Sequence, residues 1–196
     1  MKKKYYAVKN GKVPGIYETW AECSEMVKGY SGAEYKSFEN KEDAVSFING
    51  SENYEPDAEC EATAYTDGSF NIKNSNFSYG VVMFYKGEKL TFSQSFNDPE
   101  LATMRNVAGE IAGARRAMEY CVEKGIASLE IRYDYEGVEK WCTGAWKTNK
   151  SGTIAYKEYY DSIKEILCVR FTKVKGHSGN KYNDEADALA KEALGI

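Results

Sequence analysis

Histidine is almost missing from this chain: one residue, His177, among 196. A histidine-rich metal centre is thereby excluded, and so is any catalytic arrangement that needs two imidazoles. No apolar run approaches the ~20 residues that span a bilayer. The basic start Met1-Lys2-Lys3-Lys4 is followed by Tyr5-Tyr6 and not by an apolar stretch, so it does not read as a secretory leader. A cytoplasmic protein is the expectation. Cysteine is sparse and odd in number, at Cys23, Cys60, Cys121, Cys142 and Cys168. No two of them sit at zinc-ligand spacing, so reduced thiols are expected in place of a disulfide framework.

Hydrophobic residues make up 42% of the chain and charged residues 29%, which fits an ordinary globular protein. The net charge of −4 argues at first against a phosphate-rich partner. Its distribution changes that reading. Residues 1–50 carry net +1, residues 51–61 carry −5, and residues 62–196 are neutral. The acidity is confined to Ser51-Glu52-Asn53-Tyr54-Glu55-Pro56-Asp57-Ala58-Glu59-Cys60-Glu61, whose like charges, proline and low apolar content mark a linker. Local patches on either side remain free to meet phosphates.

The chain is therefore divided into a unit at 1–50, a linker at 51–61 and a unit at 62–196. The first unit reads as strand 5–9, a turn at Asn10-Gly11, strand 15–17, helix 20–27, strand 34–38 and helix 41–49. Asn10-Gly11 is a hairpin signal, and Asn40 is placed to cap the second helix. The second unit reads as strands 62–71, 77–86 and 89–96, and a long helix 103–124 stopped by Gly125. Strand 128–133, helices 135–143 and 155–167, strand 168–174 and helix 183–194 follow. A meander followed by alternating helices and strands predicts an α/β fold with a mixed sheet and helices on its faces.

Four acids stand where apolar residues are expected. Glu110 lies on or beside the face marked by Val107, Ile111, Ala114 and Met118 of the long helix. Asp187 points to the same side as Ala186, Ala190, Ala193 and Leu194 in the last helix. Asp67 interrupts the strand Tyr65-Thr66-Asp67-Gly68-Ser69, and Asp134 follows Leu129-Glu130-Ile131-Arg132-Tyr133. Buried carboxylates are costly unless paired or bound to metal. Spacing alone leaves two readings open, separate salt bridges or a shared divalent cation. An all-oxygen ligand set would select Mg²⁺ or Mn²⁺.

These stretches resemble the type I ribonuclease H family. Tyr65-Thr66-Asp67-Gly68-Ser69 is similar to its first-strand motif, Asn106-Val107-Ala108-Gly109-Glu110 to the helix that supplies a catalytic glutamate, and Ile131-Arg132-Tyr133-Asp134 to the strand with a second aspartate. Val174-Lys175-Gly176-His177-Ser178-Gly179 followed by Asn183-Asp184-Glu185-Ala186-Asp187 resembles its histidine loop and terminal helix. In the first unit, Tyr6-Ala7-Val8-Lys9-Asn10-Gly11, Pro14-Gly15-Ile16-Tyr17, Thr19-Trp20 and Tyr35-Lys36-Ser37-Phe38 resemble the small α/β hybrid-binding domain, also called viroplasmin-like, found ahead of many such enzymes. The resemblance implies a five-stranded mixed sheet with flanking helices in the second unit.

It also implies a function: an endoribonuclease that cuts the RNA strand of an RNA–DNA hybrid duplex and leaves 5′-phosphate and 3′-hydroxyl ends. By this resemblance Asp67, Glu110, Asp134 and Asp187 hold two Mg²⁺ ions, with Mn²⁺ as a substitute, and Asp67 is shared by both. One ion would lower the pKa of the attacking water and the other would offset charge on the leaving 3′-oxygen. His177 becomes a mobile proton carrier or an aid to product release. Gly68, Ser69 and Asn106 become candidates for ribose contacts, and Arg105 for a phosphate. Tyr6, Trp20 and Tyr35 would pack on sugars while Lys36 meets a phosphate. The stretch between Asp134 and His177 is shorter than in family members with an extra basic helix, so grip is expected to rest on the first unit. A monomer without membrane association is expected.

Overall fold

A computed structural model of the chain describes residues 4–39, 41, 44, 47–48, 60–175 and 180–196. Two compact units emerge, Met1–Glu55 and Pro56–Ile196.

The first unit holds strands β1 (Tyr5–Asn10), β2 (Gly15–Tyr17) and β3 (Glu34–Phe38), and helix α1 (Trp20–Val27). The strands form an antiparallel sheet in the order β2-β1-β3. The hairpin between β1 and β2 turns through Gly11, where a Cβ would stand 2.6 Å from Val8 Cγ1 and 2.9 Å from the Met26 carbonyl oxygen. Helix α1 starts on a capping box: the Glu22 amide donates to Thr19 Oγ1 at 3.3 Å and the Thr19 amide to Glu22 Oε2 at 3.2 Å. The core is small, with Ala7, Val8, Cys23 and Ala44 fully buried among the described residues. Residues 41, 44, 47 and 48 are helical. The rest of the predicted helix 41–49, with its expected cap Asn40, lies outside the described residues, as do 51–59 of the predicted linker.

The second unit is built on strands β4 (Ala62–Asn71), β5 (Asn76–Tyr85), β6 (Glu88–Phe96), β7 (Ser128–Tyr133) and β8 (Cys168–Lys173). Their order is β6-β5-β4-β7-β8. The first three form an antiparallel meander, while β7 pairs in parallel with β4 and with β8. Helices α2 (Asn106–Lys124), α3 (Gly137–Cys142), α4 (Ser151–Ile163) and α5 (Lys181–Ala193) complete the unit. This is the predicted five-stranded mixed sheet with flanking helices. Its core joins sheet residues such as Val81, Leu129 and Ile131 to Ala114, Met118 and Cys121 of α2.

Several helix limits differ from the sequence pattern, α3 among them at 137–142 in place of 135–143. The long helix begins at 106 and not at 103, because residues 101–104 form a 3₁₀ turn and Arg105 adopts φ +54°. Helix α4 covers 151–163 in place of 155–167. Thr153 closes its start by accepting from the Lys150 amide at 3.2 Å. Past its end, buried Leu167 keeps helical phase with Ile163 just after the turn at 164–166, which extends the apparent periodicity. Helix α5 begins at 181, two residues early, because Asn180 caps it by accepting from the Asn183 amide at 3.3 Å. None of the five cysteines is joined in a disulfide. Among the described residues no helix is long and apolar enough to cross a membrane.

Candidate active site

The site is set by two places where helix backbone touches sheet backbone. On one face, a Cβ on Gly68 would stand 2.3 Å from the Glu110 nitrogen and 2.4 Å from the Asn106 carbonyl oxygen, and one on Gly109 would stand 1.9 Å from the Ser78 carbonyl oxygen. Only glycine at both positions lets α2 rest directly on β4 and β5. Glu110 is thereby held against the strand that carries Asp67. On the other face, a Cβ on Gly80 would stand 2.0 Å from the Ala186 carbonyl oxygen and 2.8 Å from the Ala190 nitrogen. Gly80 is the cross-strand partner of Asp67, so Asp67 shares its face with α5. Ser78 Oγ adds a hydrogen bond to the Ala190 carbonyl oxygen at 2.5 Å. Asp187 follows Ala186 directly.

The four acids interact. Asp67 is 7% exposed, and its pKa is pushed up to about 7, first by burial and then by the charges of Asp134 and Asp187. The Gly68 amide and Lys191 oppose that rise. Glu110 is 2% exposed and is raised well above the carboxylate range by burial, then by Asp67 and Asp134 and, more weakly, by Asp187. Its Oε2 is buried with no hydrogen-bond partner among the described residues. Asp134 is half-buried just past the end of β7. Asp187 is also half-buried and is paired with Lys191 Nζ at 2.6 Å.

A protein that needed only stability would not bring four carboxylates, two of them buried, within reach of one another's charge. Their mutual repulsion and the orphaned Glu110 oxygen fit a position meant for positive charge. An oxygen-only donor set suits a hard divalent cation. Among the described residues, no three acids, histidines or cysteines already close around a single point as an ion's ligands would. Asp187 is engaged by Lys191 Nζ instead.

Other candidate residues fall in three places. Arg105 and Asn106 are exposed at the head of α2 and line a groove of about 450 Å³ with Tyr135, Trp141, Lys147, Asn149 and Lys150, beside the acids. The Gly68 backbone lies against Glu110, and Ser69 is buried next to it. In the first unit, Tyr6, Trp20 and Tyr35 form one row of rings, with centroids 5.8 Å and 5.7 Å apart. Trp20 is 48% and Tyr35 46% exposed, which argues against a core role for these rings. Lys36 is exposed on the opposite face of β3, shared with Phe38, with Nζ 5.6 Å from the Phe38 ring centre. His177 lies outside the described residues.

Sequence reasoning missed Lys191 as the partner of Asp187, although the i,i+4 spacing was legible. It also missed Gly80 and the groove residues Tyr135 and Lys147. Gly80 has no local signal, because its role depends on a helix more than a hundred residues later.

Comparison with known proteins gives a consistent picture. A family model described as "Ribonuclease H1 N-terminal domain" matches residues 4–48, and one described as "RNase H" matches residues 59–195. The Ribonuclease H of Clostridium botulinum is 30% identical over 145 residues, covering 66% of this chain and 93% of that protein. Human Ribonuclease H1 is 22% identical over 254 residues, covering 96% of this chain and 88% of the human protein. Among solved structures, RNase H1 from the archaeon Halobacterium salinarum superposes with a TM-score of 0.57 at 26% identity, over 68% of this chain and 97% of that one.

Proposed function

The chain belongs to the ribonuclease H family, and from that premise we propose that it hydrolyses the RNA strand of RNA–DNA hybrids with two divalent cations, leaving 5′-phosphate and 3′-hydroxyl ends. The observation that carries the cation part is the mutual electrostatic strain of Asp67, Glu110, Asp134 and Asp187, with one buried Glu110 oxygen unpartnered. These four residues would hold Mg²⁺, or Mn²⁺ in its place. When bound, the cations supply a lowered pKa for the attacking water and offset charge on the leaving 3′-oxygen.

The protein's own groups bind and orient. Asp67 feels Asp134 and Asp187 directly and in turn raises Glu110, a central position that suits a ligand shared by both ions. Asn106 and the Gly68-Ser69 backbone stand where ribose 2′-hydroxyls of the cut strand can be read. Arg105 faces a neighbouring phosphate from the groove. His177 carries protons or helps product leave, so its replacement slows turnover without abolishing it. Residues 1–50 act as the hybrid-binding domain, with Tyr6, Trp20 and Tyr35 against sugars and Lys36 near a phosphate. Residues 51–61 link it to the catalytic domain at 62–196. Two linked weak sites exceed either one in affinity through effective concentration. The enzyme works as a cytoplasmic monomer.

The test is incubation of an end-labelled RNA–DNA hybrid with the wild type and with Asp134→Asn, in Mg²⁺, in Mn²⁺ and in chelator. Cleavage confined to the RNA strand, lost in chelator and in the variant, is the expected outcome. Cleavage of the DNA strand, or activity that survives both changes, would overturn the proposal.

A further inference from the structure

The backbone pairing of β4 with β7 ends at Tyr65 and Arg132. Two residues further on, Asp67 and Asp134 occupy the same two chains with no ladder pairing between them. The last tie before the acids is made by side chains: Arg132 Nη1 donates to Tyr65 Oη at 2.7 Å. Arg132 is itself held by Glu130, with Nε at 3.0 Å and Nη2 at 2.8 Å from Glu130 Oε2. Glu130 is fully buried, and it also accepts from Thr172 Oγ1 of β8 at 2.6 Å and from Thr63 Oγ1 of β4 at 3.4 Å.

The tie continues into the last helix. The Tyr65 ring lies 5.4 Å from that of Tyr182, in the first turn of α5, and Tyr182 meets Phe84 edge-on at 4.7 Å. Helix α5 is therefore gripped twice, at Tyr182 and at the Gly80 notch that receives Ala186 and Ala190. Two grips fix a helix axis where one would let it swivel. The row joins β7, β4 and α5, the elements that place Asp134, Asp67 and Asp187. Glu110, on the opposite face, is placed separately by the Gly68–Gly109 contact.

Stability alone does not account for this row. A buried ion pair seldom outperforms apolar residues of similar volume, because desolvation cancels most of the attraction. A guanidinium that donates in two directions does hold fixed geometry. We propose that Arg132, with Tyr65 and Tyr182, is a positioning set that holds Asp67, Asp134 and Asp187 in register to receive divalent cations. This rests on the reading of those acids as the cation site.

The test uses the full chain in two forms, the double variant Glu130→Met/Arg132→Met and the pair Tyr182→Leu and Tyr182→Phe. Removing both partners leaves no lone buried charge, but the Thr63 and Thr172 hydroxyls lose an acceptor, so the double variant stays folded with a melting temperature lowered by several degrees. Its affinity for Mn²⁺, measured by calorimetry on the metal-free protein, falls about tenfold, the scale of lost outer-sphere support. Its kcat at fixed Mn²⁺ falls while KM for the hybrid stays put. Tyr182→Leu behaves like the double variant and Tyr182→Phe like wild type, because the ring and not the hydroxyl makes the contact with Tyr65. A folded double variant, or a folded Tyr182→Leu, that binds Mn²⁺ and turns over as wild type does would overturn the proposal. If the double variant does not fold, Tyr182→Leu decides by the same readouts. A wild type that binds Mn²⁺ yet leaves the hybrid intact counts against the nuclease reading alone, and the Mn²⁺ affinities still decide this one.

Discussion

The two units break the ordinary rule of burial in opposite directions. The first turns aromatic rings outward, with Trp20 of α1 and Tyr35 of β3 nearly half exposed in a unit whose core does not use them. The second turns charges inward, with Asp67 and Glu110 almost fully buried. Each inversion costs stability, and each is legible as function once the partner's chemistry is supplied. Exposed rings suit sugars and bases, which offer flat surfaces without fixed charge. Buried acids suit cations. The difference teaches that a broken rule specifies the kind of ligand as well as the presence of a site.

The sharpest way to break the comparison is to disturb the second unit's backbone contacts without touching an acid. Gly109→Ala drives a Cβ into the Ser78 carbonyl and must push α2 off the sheet. A destabilisation of about 3 kcal/mol is expected in chemical denaturation, from overpacking at a backbone contact. Loss of about 100-fold in cleavage rate is expected as Glu110 moves away from Asp67.

Next in size is the pH response of the metal-free protein. At low pH the folded and unfolded chains both hold the Asp67 proton. As pH rises past the ordinary value of 3.8, the unfolded chain releases it while the folded chain keeps it up to about 7. Stability therefore falls through that window. Glu110, also raised, adds to the fall. Asp67→Asn should flatten the curve and leave the variant about 1–3 kcal/mol more stable than wild type at pH 8, by removing an uncompensated buried charge. Thermal melts in chelator across pH 4 to pH 8 check the sign.

In the first unit the same kind of change has the opposite character. Replacing both Trp20 and Tyr35 by alanine is expected to weaken binding to an RNA–DNA hybrid about tenfold, at the lower end for aromatic contacts with nucleic acid. Stability and kcat should stay near wild type. A fluorescence titration at fixed salt reads the affinity, and a drop in kcat to match would erase the distinction between the units.

The smallest effect concerns Lys191. Its pairing with Asp187 places an internal cation beside the acids. Lys191→Met removes that competitor and should tighten Mn²⁺ binding by about threefold, in line with the modest worth of a partly exposed ion pair.

Much of this was legible in the sequence because period and chemistry disagreed locally. Glu110 sits on an apolar helical stripe, and Asp67 interrupts a strand, so both stood out against their own neighbours. The order of strands and helices followed from the same periodicities. What escaped notice was whatever depends on distant chain segments. Gly80 is an ordinary strand glycine until α5 lies on it. Arg132 and Tyr65 look like exposed strand polars until β4 and β7 pair. The limits of α2 and α4 were set by a strained Arg105 and by a side-chain cap, neither of which leaves a periodic trace. The placement of His177 stays a sequence-level proposal.

The central claim is that the four acids are kept close because cations neutralise them. Calorimetric titration of Mn²⁺ into the metal-free full chain near pH 7, repeated in two buffers of different ionisation heat, tests it most directly. Saturable binding with proton release is expected, since Asp67, whose pKa is pushed up to about 7, still holds part of a proton there that a cation must displace; in Asp67→Asn both signals should be lost. Absence of saturable binding in the wild type, or undiminished binding in the variant, would contradict the account.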